Sequence, residues 1–476
     1  MAGRASERML WLVSLLFFLA SWSPTGMLRT GSLYLLDRSM GVSQIGAIEA
    51  ATLFAPAVTN PLWGLLADVT LRRKAVSAAT SIASLALLGV LAVPAVGCAR
   101  CFWPIGSVMT ALAACNLGGA VDAYALDFLG HARQAEYGKY RLWGSVGWGL
   151  SAVVVGLVTQ HCGFGYNFPI YFAAGAIQLL LFTACLPRRT QSERARSSGR
   201  RSGPKPASPL ADDDAAPGGG SLCAALSRAR VLLVFTETLL LGVGVGIAEK
   251  LIFAYVVNEL RAPPSLCGYG VACMSASNIP LFFFSSALLR TVGRDAMFCA
   301  AVGAYALRTL AYTWLTPATV YWFLPIELLH GVTFSLSRAA TVDFTTTALP
   351  PGWLTTGQQV LVNLGPQGLG GGLGALLGGS HMAAYGGVAT YTLAARAGAV
   401  MLCFHVACCA VLGLCSRPTP MGRARATWKS TQPLLADCHG APPAPSPTAA
   451  SEAAPPSVTC RDESPREHPA DTATTA

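Results

Sequence analysis

About twelve stretches of this chain are each apolar over a length that can cross a bilayer, which takes about 20 residues. Backbone amides in hydrocarbon must be satisfied within the protein, and long continuous apolar runs do this as helices packed against one another. The stretches are Met9–Leu36, Gln44–Leu66, Ala75–Val96, Pro104–Phe128, Leu142–Val158, Phe168–Leu186, Val231–Val257, Tyr269–Leu289, Ala296–Leu315, Val320–Ala348, Gly357–Gly379 and Ala389–Leu414. Composition agrees: 53% of the 476 residues are hydrophobic and 12% are charged, where a soluble domain carries about 25% charged residues. The expected fold is an all-α membrane protein with the lipid bilayer as its main partner. Arg4 to Ala20 has the outline of a cleaved signal, but apolar character resumes over Met27–Leu36. That is longer than a signal's apolar core, so the segment reads as the first membrane helix.

The net charge of +10 does not indicate a nucleic-acid binder, because the basic residues sit in short loops and tails between apolar stretches. One side of the alternating helices collects Arg4, Arg8, Arg72, Arg73, Lys74, Arg133, Lys139, Arg141, Arg188, Arg189, Arg290, Arg294, Arg417 and Arg423, while the other holds little beyond Arg38, Arg100 and Arg261. The basic side is expected in the cytoplasm, and an even helix count puts both termini there. A plasma-membrane location is a further expectation. Residues 1–8 form a short N-terminus, 9–187 a first six-helix bundle and 229–416 a second. Between the bundles, 188–228 is basic, then rich in Ser, Pro and Gly, as expected of a disordered linker; 417–476 reads as a disordered tail. Linker and tail are where a protein partner would bind.

Most of the 15 cysteines lie inside apolar stretches, where they act as small hydrophobes. Cys98 and Cys101 form one C-x-x-C in an expected outer loop, and no second pair follows at zinc spacing. No P-loop, nucleophile elbow or zinc-protease motif occurs. The chain is therefore expected to be no enzyme and to need no metal or cofactor.

Charges within the apolar stretches carry the functional signal, since they are expensive at bilayer depth. Glu327 and His330 share one helix face in the tenth stretch, and Glu327 lies about 12 Å from its outer end. Arg308 lies about 18 Å into the ninth stretch from the opposite side. All three are near the midplane, where burial and a neighbouring guanidinium act in opposite senses on a carboxyl's hold on its proton. They are candidates for proton coupling, set against a static polar network that fixes packing. Glu249 and Lys250 lie in the outer half of the seventh stretch. Glu249 either lines a cavity or pairs with a snorkelling Lys250. Adjacent helical residues point about 100° apart and pair poorly. Asn116 and Asp122 on the fourth stretch complete the candidate cavity residues. Helix eleven is glycine-rich, which favours close helix packing.

The loop after the second stretch reads Gly64-Leu65-Leu66-Ala67-Asp68-Val69-Thr70-Leu71-Arg72-Arg73-Lys74. Gly64, Asp68, Arg72 and Arg73 match the signature G-x-x-x-D-R-x-G-R-R, with Val69 and Leu71 replacing its Arg and Gly. With the 6+6 layout, this resembles the major facilitator superfamily. Tyr137-Gly138-Lys139-Tyr140-Arg141-Leu142-Trp143-Gly144 and Leu324-Pro325-Ile326-Glu327-Leu328-Leu329-His330-Gly331 resemble the branch holding major facilitator superfamily domain-containing protein 6 and its 6-like relative. That branch is similar to lactose-permease and nucleoside:proton symporters.

The resemblance implies two pseudo-symmetric six-helix bundles and proton-coupled symport of a small polar organic solute by alternating access. Glu327 would carry the proton, tuned by His330 and Arg308, although the related symporters place the His before the Glu. Asp122, which resembles an aspartate on the same helix of this group, would join Glu249 at the cargo. Gly64, Asp68, Arg72, Arg73 and Arg141 would form a cytoplasmic gate in which the loop aspartate meets the start of helix eleven. A uniporter and a receptor-like protein on a transporter scaffold stay open as alternatives.

Overall fold

The computed structural model describes residues 2–93, 101–115, 120–133, 136–190, 193–194, 228–349 and 359–411, without the side chains of 2–6, 25, 68, 131–133 and 411. Among the described residues the regular structure is helical throughout. The first half comprises α1 (Ala2–Ala20), α2 (Pro24–Met27), α3 (Gly31–Asp37), α4 (Val42–Thr70), α5 (Arg73–Ala92), α6 (Phe102–Ala114), α7 (Ala120–Arg133), α8 (Tyr137–Cys162) and α9 (Asn167–Cys185). The second comprises α10 (Ala229–Ala254), α11 (Pro264–Thr291), α12 (Arg294–Tyr312), α13 (Phe323–Glu327), α14 (Leu329–Gly331), α15 (Ser337–Ala348) and α16 (Gly371–Val411). Three π-helical segments, Tyr255–Glu259, Val332–Leu336 and Gln359–Gly370, interrupt or extend these rods.

Among the described residues, seven spans are long and apolar enough to cross a membrane. One of them, Gln359–Ala410, is two rods joined at Gly386, whose φ of 84° is open to glycine and strained for other residues. The Glu259 carboxylate accepts the N–H of Gly387 at 2.8 Å and starts the second rod. The other four expected stretches depart from plain apolar helices for visible reasons. The first breaks at Ser23-Pro24, where proline opens α2. The fourth is described as α6 and α7 on either side of residues 116–119. The ninth, α12, carries Arg294, Asp295 and Arg308. The tenth, expected as one helix over Val320–Ala348, is a 3-10 turn, two short α-helical pieces, a π segment and α15.

The end of the bundle bearing Thr70, Tyr137 and Thr291 is the basic end; the end bearing Val42, Cys162 and Pro264 is the far end. Two seams join the halves. Gly46 on α4 faces Gly379 on α16, and a Cβ on Gly46 would lie 2.9 Å from the Gly379 Cα. Gly156 on α8 meets Ser265 and Gly268 on α11 in the same way. Small residues permit this approach, so α4–α16 and α8–α11 pack backbone to backbone.

One apolar core is shared by both halves. It joins Met27, Tyr34, Ile48, Met109 and Phe164 to Leu251, Tyr255, Leu266, Tyr312, Phe323 and Met382, and it sits at the far end. The remaining clusters each belong to one half: Val13, Leu16 and Tyr124 in the first, Met297, Tyr305 and Leu336 or Val231 and Phe344 in the second. The far end is therefore sealed by a common core, and toward the basic end each half keeps its own.

The expected linker and tail fall almost wholly outside the described residues. Glu193, near the linker's start, is buried and accepts the N–H of Arg73 at 3.0 Å and that of Thr190 at 2.8 Å. The chain divides into units Met1–Thr419 and Pro420–Ala476, and the second lies outside the described residues.

Candidate functional site

The break in the tenth stretch lies at its charged residues. Pro325 opens it, and the π segment Val332–Leu336 follows His330 within two residues. Such local changes of helical pitch re-aim side chains and recur at functional sites. Glu327 is fully buried, and Arg308 Nη2 from α12 donates to it at 2.6 Å. The Tyr312 hydroxyl donates to its second oxygen, and Arg308 Nε lies 2.6 Å from the same hydroxyl. The pair is thus fully desolvated and satisfied on both sides, as a charge pair at this depth must be.

His330 extends the network. Its Nδ1 lies 3.2 Å from Arg308 Nη1 and 3.1 Å from Glu249 Oε1. An arginine only donates and an ionised carboxylate only accepts, so one nitrogen cannot satisfy both at once. A proton on Nδ1 commits the ring to Glu249; without it, the nitrogen accepts from Arg308. The other Glu249 oxygen accepts from Arg29 Nη1 at 3.1 Å. Arg29 lies in the gap between α2 and α3, so this contact joins the two halves. Beside it, Lys250 reaches Glu49 on α4 at 2.7 Å, a second charged bridge between the halves.

The sequence-predicted trio Arg308, Glu327 and His330 is therefore one contiguous cluster, and Glu249 is continuous with it. The alternative in which Glu249 pairs with Lys250 is corrected. The two side chains diverge around the helix, and each finds an opposite charge in a different place. Asp122 stands apart, nearer the basic end, where it accepts from Arg141 Nε at 3.3 Å and from the Tyr137 hydroxyl. Arg141, expected at the gate, is held by this cavity carboxylate and lies over the Phe17 ring at 4.9 Å. Asn116 and Cys98 lie outside the described residues, as does the side chain of Asp68. A Cβ on Gly64 would meet nothing within 4 Å. Arg72 is exposed, and Arg73 meets Glu193 through its backbone.

Sequence reasoning passed over Arg29, Glu49 and Arg338, although each is a charge inside an expected span and falls under the rule that singled out Glu327. A second buried pair, Glu237 and His405 at 2.9 Å, lies within the second half, with Cys409 Sγ 3.6 Å from the other ring nitrogen. Among the described residues no cluster of His, Cys, Asp and Glu is placed to hold a metal ion.

Two helical halves, glycine seams and a charge network buried at membrane depth define an integral, multi-pass membrane protein of the facilitator kind. The sequence profile of the MFS_1 like family matches residues 10–393, and the chain belongs to that family. A maltose permease of Geobacillus stearothermophilus is 26% identical over 175 residues, 37% of this chain; the chain spans 42% of that relative's length. Two solved structures of nucleoside transporter NupG share the fold. A point mutant of it superposes with a TM-score of 0.69 at 16% identity, covering 84% of this chain and 99% of that one. The other gives 0.66 at 17% identity, covering 84% and 98%.

Proposed function

We propose that this protein is a secondary transporter that couples proton movement to symport of a small polar organic solute by alternating access. The observation that carries this reading is the unbroken chain of buried charge from Glu327 through Arg308 and His330 to Glu249, ending at Arg29 of the other half. A proton taken by Glu327 removes the charge that holds Arg308. The freed guanidinium then competes for His330 Nδ1; when that nitrogen passes its proton to Glu249 Oε1, 3.1 Å away, it can accept from Arg308, and the neutralised Glu249 loosens its hold on Arg29. Glu249 and Arg29 form a bridge across the sealed end, so loading a proton bears directly on whether that end can open. Asp122 and Arg141, paired toward the basic end, are assigned to the cargo, together with Glu249. The basic end is assigned to the cytoplasm, with both termini on that side, and the plasma membrane is the proposed residence. Kinship to proteins named for maltose and nucleosides favours a sugar- or nucleoside-like cargo, and transport rather than catalysis.

The test is uptake into proteoliposomes under an imposed pH gradient, offering a mixed pool of sugars, nucleosides and amino acids and reading accumulation by mass spectrometry. Symport predicts accumulation that collapses with a protonophore. Glu327→Gln is expected to lose uphill accumulation and keep exchange. Uphill transport retained in that variant would remove Glu327 from the carrier role. No uptake of any solute by folded protein would favour a receptor on a transporter scaffold.

A further inference from the structure

We infer that Arg338 and Arg141, one from each half, together bind an anionic group of the transported solute, a carboxylate or a phosphate. The inference rests on the transport reading and narrows its substrate class. Glu327, His330, Phe334 and Arg338 succeed one another at helical spacing down the tenth stretch. His330 stacks on Phe334 with centroids 5.5 Å apart and planes 13° from parallel, and the Arg338 guanidinium lies 5.8 Å from the Phe334 centroid. Arg338 is thus the next charged group of this stretch below the proton network, on the side that faces the basic end.

Its partners set it apart. Arg308, Arg29, Lys250, Arg294 and Arg141 each meet a carboxylate. Arg338 is half-buried, and among the described residues its polar contact is the Asn363 side-chain oxygen at 3.2 Å. That amide neutralises no charge, and its own N–H goes to Gln359 at 2.9 Å. A cation held at this depth without a counter-charge is costly, and such residues line the paths of ions and substrates. Most of the guanidinium fork is left to take a two-pronged oxyanion. Across the interface, Gly149 of α8 packs on Ser275 of α11, and Ser335 donates to Asn278 of the same helix, so one to two turns toward the basic end Arg338 comes level with a second positive charge that repels it, Arg141. Its one carboxylate, Asp122, is shared with the Tyr137 hydroxyl. An anion between the two arginines turns that repulsion into a bridge drawing α8 toward α15, so binding would favour closing the halves at the basic end.

The experiment uses the purified full-length protein in lipid nanodiscs. Thermal stability is followed as inorganic phosphate is added against chloride at equal ionic strength. Matched pairs are then compared: uridine with its monophosphate, glucose with glucose 6-phosphate, and glucose with glucuronate. We expect saturable protection by phosphate and, in at least one pair, an affinity for the charged member about tenfold or more above that for the neutral one. Arg338→Gln should abolish both preferences. Asn363→Asp supplies the missing carboxylate, and it should raise the melting temperature while removing phosphate protection. That outcome requires a folded protein and so separates loss of the site from loss of the fold.

Phosphate no better than chloride, or protection that survives both variants, overturns the site. Protection that anionic lipid in the disc removes assigns the anion to a lipid headgroup and overturns a solute source. If the anion preference fails while Glu327→Gln still abolishes uphill uptake, the symport reading stands without it. If phosphate binds through Arg338 but no pair member is transported, the assignment of the anion to cargo fails, and the symport reading stands or falls on the mixed-pool uptake.

Discussion

Arg308 is completely buried, and its charge is answered by one carboxylate 2.6 Å away. Stability at this point depends on the pair and not on either residue. Arg308→Met should cost about 3–5 kcal/mol by leaving Glu327 charged and unmatched. Adding Glu327→Gln to it should recover part of that loss, and a double-mutant cycle read by thermal melts in detergent measures the coupling. If the double variant is no better than the single one, the network is held by Tyr312 and His330 and not by charge pairing. Glu327, His330 and Arg308 were legible in the sequence because each is an isolated charge in an apolar run. Arg29, Glu49 and Arg338 stand in equally apolar runs. Glu49 lies near the end of its expected span, where a charge reads as reaching toward the interface, while Arg29 and Arg338 lie as deep as Arg308 and Glu327; the fold shows that all three point inward. The exchange of partners between Glu249 and Lys250 was not legible, because it depends on which half each side chain faces.

Helices break where local chemistry overrides an average. Twelve apolar stretches can be counted from composition because hydropathy sums over about 20 residues. That sum hides the proline break that frees Arg29 from the first span and the π segment beneath His330. Both breaks lie beside the charge network, which a regular helix would aim differently. The loop after α4 offers a sharper local case. Leu71 takes φ 52° and ψ 34°, left-handed values, at the position where the superfamily signature carries glycine. A side chain there costs roughly 1–2 kcal/mol. Leu71→Gly should therefore raise stability by about 1 kcal/mol after glycine's own entropic cost is set against that strain. A chemical or thermal melt checks it, and an unchanged or lower stability would mean that packing of the leucine side chain outweighs the strain.

Across the molecule, the halves are bolted at one end by charge as well as by apolar packing. Lys250→Met leaves Glu49, 1% exposed, without its cation. It should shift the balance toward an opened far end by about tenfold, roughly 1.4 kcal/mol. Spin labels at Tyr166 and Trp314, exposed far-end residues of the two halves, would report longer distances in a background stripped of native cysteines. Exchanging the charges, Glu49→Lys with Lys250→Glu, should restore the short distance; failure to do so would assign the seal to apolar packing alone. That packing has its own consequence. The seal at the far end is oil-like, and the groups facing each other nearer the basic end are arginines, amides and carboxylates. Apolar association weakens on cooling, while partly exposed charges are screened by salt, which buried pairs such as Glu49–Lys250 feel much less. The two doors of this protein therefore answer to different variables. Cold loosens the far one, and salt acts on the near one. A transport cycle chilled or run at high ionic strength should slow at different steps.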